Sequence, residues 1–362
     1  MIERMDALML PLNWQRVRLG DIANYLTSNL SAEQITQQGK IKVYDVNNFI
    51  GYTDTTFISD KPYISIVKDG SVGRVRILPP KTNILSTMGA LIANHRTTTE
   101  FLFYLLSNFD FKNFTSGSII PHIYFKDYKE KTIFLPSLNE QSTIANILSG
   151  LDHYLCSLDA LILKKESVKK ALSFELLSQR KRLKGFNQAW QRVRLGDIAN
   201  YLTSNLSAEQ ITQQGKIKVY DVNNFIGYTD TTFISDKPYI SIVKDGSVGR
   251  VRILPPKTNI LSTMGALIAN HRTTTEFLFY LLSNFDFKNF TSGSIIPHIY
   301  FKDYKEKTIF LPSLNEQSTI ANILSGLDNE IASLKNKKRQ FENIKKALNH
   351  DLMSAKIRVL KK

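Results

Sequence analysis

The chain has 362 residues, of which 43% are hydrophobic and 22% charged, as is typical of a globular protein with two domains. It has no run of about 18 apolar residues, which excludes a membrane-spanning segment at the level of sequence. The single cysteine, Cys156, excludes a disulfide framework and a multi-cysteine metal site, and it favours a cytoplasmic location.

The dominant feature of the sequence is a perfect internal repeat. Residues Trp14–Asp152 and Trp190–Asp328 are identical over 139 positions. The repeated segment is far longer than a solenoid repeat and has the size of a domain. The sequence therefore predicts a tandem duplication of a whole folding unit, with a different tail after each copy.

The distribution of charge separates the copies from their tails. The net charge of +15 favours an anionic partner, most often nucleic acid. Each copy carries 14 Lys and Arg against 12 Asp and Glu, whereas residues 153–189 carry 8 against 3 and residues 329–362 carry 10 against 3. The excess thus lies in the tails, where the solvated faces of exposed helices would explain it equally well.

The first two-thirds of each copy predicts a mixed domain. The opening WQRVRLGDIANYL begins with alternating polar and apolar residues, and a short helix is predicted after them. The segments KIKVYDVNNFIGYTDTTFI and KPYISIVKDGSVGRVRILPP have the composition and turn signals of strands. A helix is predicted over TTTEFLFYLLSNFDF, capped by Thr98 or Thr99, and SGSIIPHIYFKDYKEKTIFLP returns to strand or loop until Pro136.

A long helix is predicted after each domain. It has Ser137 or Asn139 as a cap and runs to about Leu183, since this segment has no proline and one glycine. Residues spaced alternately three and four apart predict a coiled-coil seam. The predicted seam positions are Leu148, Leu151, Leu155, Leu158, Ile162, Lys165, Lys169, Leu172 and Leu176 in the first helix, and Leu324, Leu327, Ile331, Leu334, Lys338, Phe341, Ile344, Leu348 and Leu352 in the second.

The sequence as a whole predicts an α+β fold. Two mixed α/β domains are separated by two long helices that pair antiparallel as a coiled coil, which would relate the halves by a pseudo-two-fold axis. The predicted parts are a first domain at residues 1–138, a first long helix at 139–185, a second, identical domain at 186–314 and a second long helix at 315–362.

Three motifs occur once in each half. They are W-x-x-V-x-L-G-D-I at Trp14 and Trp190, P-Y-I-x-I-V-K-D-G-S-V-G at Pro62 and Pro238, and L-P-x-L-x-E-Q-x-x-I-A-x-x-L-x-x-x-D at Leu135 and Leu311. With these motifs the chain resembles, over essentially its whole length, the specificity subunit of type I restriction–modification enzymes. The resemblance implies two target recognition domains held apart by paired helices. Members of the family usually carry two different recognition domains, whereas the two here are identical.

The resemblance also implies partners. A specificity subunit binds double-stranded DNA without catalysing a reaction itself, and its helices dock two modification (methyltransferase) subunits. Those subunits bring S-adenosylmethionine, and a restriction subunit recruited through them brings ATP and Mg²⁺. We expect docking at the junctions that both halves share, at Glu140, Gln141, Ile144, Glu316, Gln317 and Ile320.

The sequence contains no recognisable catalytic constellation. His95 and His122, with their copies His271 and His298, lack partners at metal-binding spacing, and no phosphate-binding glycine motif occurs. The glycines of KDGSVG predict a tight turn, and a contact of this loop with DNA is the less favoured interpretation.

Three clusters of polar and basic residues are the candidates for DNA contact. Asn can pair with adenine and Arg with guanine, whereas Lys and Ser more often hold phosphates. Each candidate is also compatible with an ordinary surface position, and Arg74 and Lys126 are the leading ones. The candidates are Asn47, Asn48, Tyr52, Lys68, Ser71, Arg74, Arg76, Ser116, Ser118, His122, Tyr124 and Lys126 in the first copy, and Asn223, Asn224, Tyr228, Lys244, Ser247, Arg250, Arg252, Ser292, Ser294, His298, Tyr300 and Lys302 in the second.

Two other functions fit parts of the sequence. A stand-alone DNA-binding or bridging protein would need no enzyme partners. A coiled-coil scaffold unrelated to DNA fits the helices and lysines but leaves the duplicated domains unexplained. For the leading interpretation, two identical domains related by a two-fold axis predict a split inverted-repeat target.

Overall fold

A computed structural model describes residues 14–357 and residue 359. The start of the predicted first domain, residues 1–13, lies outside the described residues. The chain forms two compact units: the part up to Asp159 together with the part from Asn336 onward, and Ala160–Lys335 between them. The boundary between the units therefore falls within each of the two long helices.

The two copies fold into nearly the same series of elements. The first copy contains β1 Gln15–Arg18, β2 Ala23–Thr27, β3 Ile41–Tyr44, β4 Phe49–Thr53, β5 Tyr63–Val67, β6 Val75–Leu78, β7 Thr82–Ile84, β8 Met88–Ala93, α1 Thr99–Ser107, β9 Thr115–Ser116, β10 His122–Ile123, α2 Phe125–Tyr128, β11 Thr132–Leu135 and α3 Leu138–Leu177. The second contains β12 Gln191–Arg194, β13 Ala199–Thr203, β14 Ile217–Tyr220, β15 Phe225–Thr229, β16 Tyr239–Val243, β17 Val251–Leu254, β18 Asn259–Ile260, β19 Met264–Ala269, α4 Thr275–Ser283, α5 Phe301–Tyr304, β20 Thr308–Leu311 and α6 Leu314–Met353.

Each domain is built on small sheets. In the first copy a four-stranded antiparallel sheet has the order β2-β8-β5-β6, and a three-stranded sheet has the order β4-β3-β7. In the three-stranded sheet β3 pairs antiparallel with β4 and parallel with β7. Strand β1 pairs antiparallel with β11. The second copy repeats these arrangements with β13-β19-β16-β17, β15-β14-β18 and β12-β20.

Strand β5 is the centre of the first domain because both of its faces are buried. Ile64 and Ile66 belong to a core that includes α1 and the start of α3, whereas Tyr63 and Val67 belong to a second core with Ile84 of β7. A strand covered on both sides can be apolar throughout, which accounts for the sequence YISIV.

The helix signal in the opening segment was wrong. The structure has only a 3₁₀ turn at Leu19–Asp21, and Ala23–Thr27 then continues as β2. The backbone N–H of Arg18 donates to the Asp21 carboxylate at 3.0 Å, which closes the turn locally. Pairing of β2 with β8 then outweighs the local helix propensity.

The helix predicted over TTTEFLFYLLSNFDF is confirmed as α1. The hydroxyl of Thr98 accepts a hydrogen bond from the N–H of Phe101 at 3.2 Å and caps the helix. The long helix is confirmed as well, although it ends at Leu177 rather than near Leu183. Its first turn is capped at Ser137, whose carbonyl accepts from the N–H of Gln141 at 2.9 Å.

The side chain of Gln141 fastens α3 to the domain that precedes it. It is fully buried, and its carbonyl oxygen accepts from the Thr97 hydroxyl at 2.9 Å and the N–H of Thr98 at 3.0 Å. Its amide nitrogen donates to the carbonyls of Arg96 at 3.0 Å and Pro136 at 2.9 Å. One side chain thus satisfies four groups, and Gln317 repeats all four contacts in the second unit.

Within the first unit, the beginning of α3 packs antiparallel against the end of α6. The rings of Tyr154 and Phe341 lie 4.7 Å apart, and the Lys338 amine lies 2.7 Å from the Asp159 carboxylate. Further along α6, Leu352 is buried in the core of the first domain. The tail of the second copy therefore completes the core of the first.

Within the second unit, the end of α3 packs in the same way against the beginning of α6. Lys165 pairs with Glu330 at 2.8 Å, and Glu166 pairs with Lys335 at 2.6 Å. Leu176 is buried in the core of the second domain. The antiparallel pairing predicted from sequence is thus confirmed in each unit.

One predicted seam position was wrong. Ile344 is 50% exposed, whereas the neighbouring Lys345 is half-buried and its amine pairs with the Asp152 carboxylate. The corrected spacing runs from Phe341 through Lys345 to Leu348, which matches Lys165, Lys169 and Leu172 in α3, each 176 residues earlier. The lysine occupies the seam because its aliphatic stem packs and its amine finds a carboxylate.

We predict that Gln141→Met destabilises the first unit by about 2 to 4 kcal/mol, because it leaves buried hydrogen-bonding groups unsatisfied. Denaturant unfolding of the whole chain would measure the loss. Gln340→Met, at an exposed position of α6, is the control and should change stability by less than about 0.5 kcal/mol. Equal stability of the two variants would contradict the fastening role of Gln141.

A second prediction concerns the pair Tyr154 and Phe341, which corresponds in the second unit to the ion pair of Glu330 and Lys165. Phe341→Lys alone should destabilise the protein by about 1 to 3 kcal/mol, because it loses the aromatic contact and adds a cation beside Lys338. Adding Tyr154→Glu should restore part of the loss, since it recreates the ion pair.

A double-mutant cycle measured by denaturant unfolding would give the coupling energy of the new pair, expected at about 0.5 kcal/mol or more in favour of the double variant. The control is Leu163→Lys at an exposed position of α3. Purely additive effects of the two substitutions would show that these helix positions do not face each other.

Candidate nucleic-acid interface

The first group of candidate residues forms a cluster at the end of the β3–β4 hairpin. The side chain of Asp45 accepts from the backbone N–H of Asn47 at 2.8 Å and of Asn48 at 2.7 Å, which fixes the turn. The side-chain oxygen of Asn47 accepts from the Arg74 guanidinium at 2.8 Å, and its backbone carbonyl accepts from Arg76 at 2.9 Å. We call Asn47, Arg74 and Arg76 the arginine cluster.

The arginine cluster is supported by aromatic rings. The Arg76 guanidinium lies 5.3 Å from the centre of the Tyr44 ring. Phe49 contacts Tyr44 edge-on, with ring centres 6.0 Å apart, and Tyr52 in the same way at 5.1 Å. Tyr52 is therefore linked to the cluster through Phe49, which is exposed on β4.

The loop KDGSVG is the tight turn that its glycines predict. The N–H of Gly73 donates to the carbonyl of Val67 at 2.9 Å, and the N–H of Val67 donates to the carbonyl of Arg74 at 3.0 Å. Gly73 has a φ of +81°, and a Cβ there would lie 2.7 Å from the Phe111 ring, so only glycine fits. The turn places Lys68 at its start and Arg74 at its end.

The second group of candidates meets at the carboxylate of Asp69. The Lys68 amine lies 2.9 Å from one carboxylate oxygen, and Nδ1 of His122 lies 2.7 Å from the other. Burial acts to raise the pKa of Asp69, but the contacts with His122 and Lys68 outweigh it and hold that pKa below its ordinary value. We call Lys68, Asp69 and His122 the histidine cluster.

Backbone hydrogen bonds hold the β9–β10 hairpin onto this turn. The N–H of Gly70 donates to the carbonyl of Pro121 at 2.9 Å, and the N–H of Ile123 donates to the carbonyl of Lys68 at 2.9 Å. Beyond the hairpin, the rings of His122 and Tyr124 stack at 6.4 Å, and the Lys126 amine lies 5.6 Å from the centre of the Tyr124 ring. Tyr124 and Lys126 therefore extend the histidine cluster.

The structure thus brings most of the candidates together at one end of the β5–β6 hairpin. Ser71, Ser116 and Ser118 are exposed in or beside the same loops. The hydroxyl of Ser116 donates to the backbone carbonyl of His122 at 3.5 Å, whereas no described side-chain contact joins Ser71 or Ser118 to either cluster. Asn48 contributes its backbone to the turn of Asp45. The sequence analysis missed Asp69 and Phe49. Asp69 lies within the loop KDGSVG and could have been found as the counter-charge of Lys68.

The second copy repeats the arginine cluster and the contact between histidine and aspartate. Arg250 donates to the Asn223 side chain at 2.8 Å and Arg252 to its backbone carbonyl at 2.8 Å. Nδ1 of His298 lies 2.6 Å from Asp245. Tyr228, Tyr300 and Lys302 make the same ring contacts as Tyr52, Tyr124 and Lys126, and Asn224, Lys244, Ser247, Ser292 and Ser294 occupy the remaining matching positions.

Most of the predicted docking residues lie inside the structure, and docking at these junctions stays a prediction. Gln141, Ile144, Gln317 and Ile320 are buried within their own units. Glu316 is buried too, and it accepts from Arg182 at 3.0 Å and from the Trp190 indole at 3.1 Å. Glu140 is half-buried at the equivalent place.

No helix within residues 14–357 is both long and apolar enough to cross a membrane. In the same part of the chain, no three His, Cys, Asp or Glu side chains are grouped closely enough to hold a metal ion.

Comparison with known proteins gives a consistent family. The family described as "Type I restriction modification DNA specificity domain" matches residues 11–165 and again residues 187–343. The chain is 25% identical to the type I restriction enzyme MjaVIII specificity subunit of Methanocaldococcus jannaschii, over 99% of this chain and 96% of that protein. It is 27% identical to the putative MjaX specificity subunit of the same organism, over 97% and 95% of the two chains.

A solved structure shares the fold. The type I restriction–modification S subunit of M. genitalium superimposes with a TM-score of 0.66 at 23% identity, covering 96% of this chain and 97% of that one. Since the family match spans both halves and includes both copies of the domain, the chain belongs to the type I restriction–modification DNA specificity family.

Proposed function

We propose that this chain recognises a bipartite DNA sequence as the specificity subunit of a type I restriction–modification complex. The observation that carries the proposal is the duplicated arginine cluster. Arg74 and Arg76 are anchored on Asn47, and Arg250 and Arg252 are anchored on Asn223 with the same contacts. A guanidinium fixed at one nitrogen keeps other N–H donors for guanine or phosphate.

The histidine cluster supplies the second part of the surface. Lys68, His122 and Lys126 concentrate positive or protonatable groups beside the arginine cluster, as a phosphate-contacting surface requires. Asp69 orients two of them through its two oxygens. In this proposal the arginine cluster contacts the edges of the bases. The histidine cluster holds the sugar-phosphate backbone of the DNA and sets the position of the domain along the duplex.

The proposed complex has further members. Two methyltransferase subunits dock on the helical part of the chain and bring S-adenosylmethionine, and a restriction subunit joined through them uses ATP and Mg²⁺. The chain itself recognises DNA and leaves the chemistry to these partners. Support comes from the curated relatives, whose names identify them as specificity subunits of type I restriction enzymes.

The proposed target is a split inverted repeat. Identical domains recognise identical blocks of sequence, and the antiparallel pairing of α3 with α6 within each unit favours an inverted orientation of the two blocks. The duplex has its own two-fold symmetry, so each domain would meet the same bases on its own strand. Each block is short, because one small domain reaches only a few base edges.

We therefore predict a methylation motif with two complementary blocks separated by an unread spacer of about one helical turn or less. Sequencing the modified bases in a host that expresses this chain with its methyltransferase would reveal the motif. A host that expresses the methyltransferase alone is the control. A motif with two unrelated halves would contradict recognition by the repeated domains.

A further prediction concerns Arg74 and Arg250. Arg74→Ala should lower discrimination at one half-site about 5-fold to 160-fold, because a bidentate contact to guanine contributes about 1 to 3 kcal/mol. The double variant Arg74→Ala with Arg250→Ala should lower discrimination equally at both half-sites. The measurement is competition binding of the complex to duplexes with one or both blocks altered.

The control for this experiment is Arg18→Ala, which removes an exposed arginine paired with Glu130 at 2.7 Å and leaves the arginine cluster intact. It should leave discrimination unchanged. If the Arg74 variant loses affinity equally for all sequences, Arg74 contacts phosphate rather than bases.

A further inference from the structure

The tip of the β9–β10 hairpin, residues 117–121, is apolar and exposed. The side chain of Ile119 is 92% exposed and that of Ile120 is 55% exposed. Ile295 and Ile296 repeat these values at 92% and 54% in the second copy. Single exposed aliphatic residues are common on protein surfaces. Two adjacent isoleucines at a hairpin tip are not, because turns favour Gly, Asn, Asp, Ser and Pro.

The tip has a fixed shape. Gly117 has a φ of +90°, and a Cβ at this position would lie 2.3 Å from the carbonyl oxygen of Ile120, so glycine is required for the tight turn. The carbonyl of Pro121 accepts from the N–H of Gly70 at 2.9 Å. His122, the next residue, is held by Asp69 at 2.7 Å. The isoleucines are thus presented by an anchored loop.

The neighbours of the tip indicate its ligand. At the base of the hairpin, Lys68 and His122 contact Asp69 and Lys126 lies against the Tyr124 ring; these groups would be drawn to the phosphates of a duplex. A two-stranded β-ribbon fits the major groove of B-DNA, where thymine alone among the bases presents a methyl group. An aliphatic tip on a hairpin with basic residues near its base would therefore have a complementary apolar partner in the groove.

We propose that Ile119 and Ile295 enter the major groove and contact the C5-methyl group of a thymine in each half-site. This inference rests on the proposed function, because it assigns a specific base contact to the same surface. It predicts that each recognised block contains a thymine whose methyl group contributes to affinity, and that this contribution depends on the isoleucine.

The test combines a base change with a residue change. In duplexes carrying the motif found by methylation sequencing, each thymine is replaced in turn by deoxyuridine, which removes the methyl group and keeps the base pair. Binding of the complex with its methyltransferase should weaken about fourfold at one thymine of each block, the effect of losing one buried methyl group. The complex carrying Ile119→Ala and Ile295→Ala should bind the thymine and deoxyuridine duplexes equally.

Leu26→Ala with Leu202→Ala is the matched control, since these leucines are exposed on β2 and β13 at 43% and 42%. That variant should keep the response to deoxyuridine. The thermal midpoint of the isoleucine variant should equal that of the parent chain, because exposed side chains contribute little to stability.

Several results would overturn the inference. One is a parent complex that prefers its motif over scrambled DNA but does not respond to deoxyuridine at any position. Another is an isoleucine variant whose binding still weakens when thymine is replaced by deoxyuridine. A third is an isoleucine variant that loses methyltransferase binding instead, which would make the tip a protein contact. A parent complex with no preference for any motif would instead refute the proposed function, so the two failures are distinguishable.

Discussion

The carboxylate of Asp152 makes the contacts that connect the three parts of the first unit. It accepts a hydrogen bond from the Tyr104 hydroxyl at 2.8 Å and pairs with the Lys345 amine, which lies 5.7 Å from the centre of the Tyr104 ring. Burial, together with the hydrogen bond to Asp152, raises the pKa of Tyr104 far above its ordinary value. Tyr104 lies on α1, Asp152 on α3 and Lys345 on α6. One carboxylate therefore joins a domain, its own helix and the tail of the other copy, and Asp328 does the same with Tyr280 and Lys169.

The shared segment ends at this aspartate, which contacts its own domain through Tyr104 and the other long helix through Lys345. Beyond it, each helix meets the other helix, and the contacts become pairs of unlike partners: Tyr154 with Phe341 in one unit, Glu330 with Lys165 in the other. Two copies of α3 in the same alignment would place Tyr154 against Lys165 and lose both pairs. Divergence in the middle of the helices therefore favours the pairing of α3 with α6.

Much of this architecture could be predicted from sequence, since the signals are local. The strands, the cap at Thr98 and the long helices follow from composition and spacing. The seam prediction was wrong at Ile344 because it followed hydrophobicity. The residue in the seam is Lys345, which is selected by the Asp152 carboxylate on the other helix. At the predicted docking residues, identity in both halves indicated a shared surface, whereas the structure shows that Gln141 is the centre of a buried hydrogen-bond network. Asp69 was missed because its role depends on His122, 53 residues away.

The two clusters share a physical design that bears on how such a surface could discriminate between sequences. Their ion pairs and hydrogen bonds are solvent-exposed or half-buried, so they add little to the stability of the fold. Their main effect is on geometry: Asn47 fixes two guanidinium groups, and Asp69 fixes an amine and an imidazole. Long basic side chains lose conformational entropy when they bind, and a side chain that is already restrained loses less. Under the proposed function, the Asp69 carboxylate therefore weakens the general attraction of this basic surface for DNA, while Asn47 and Asp69 together sharpen its preference for the sequence that matches the fixed donors.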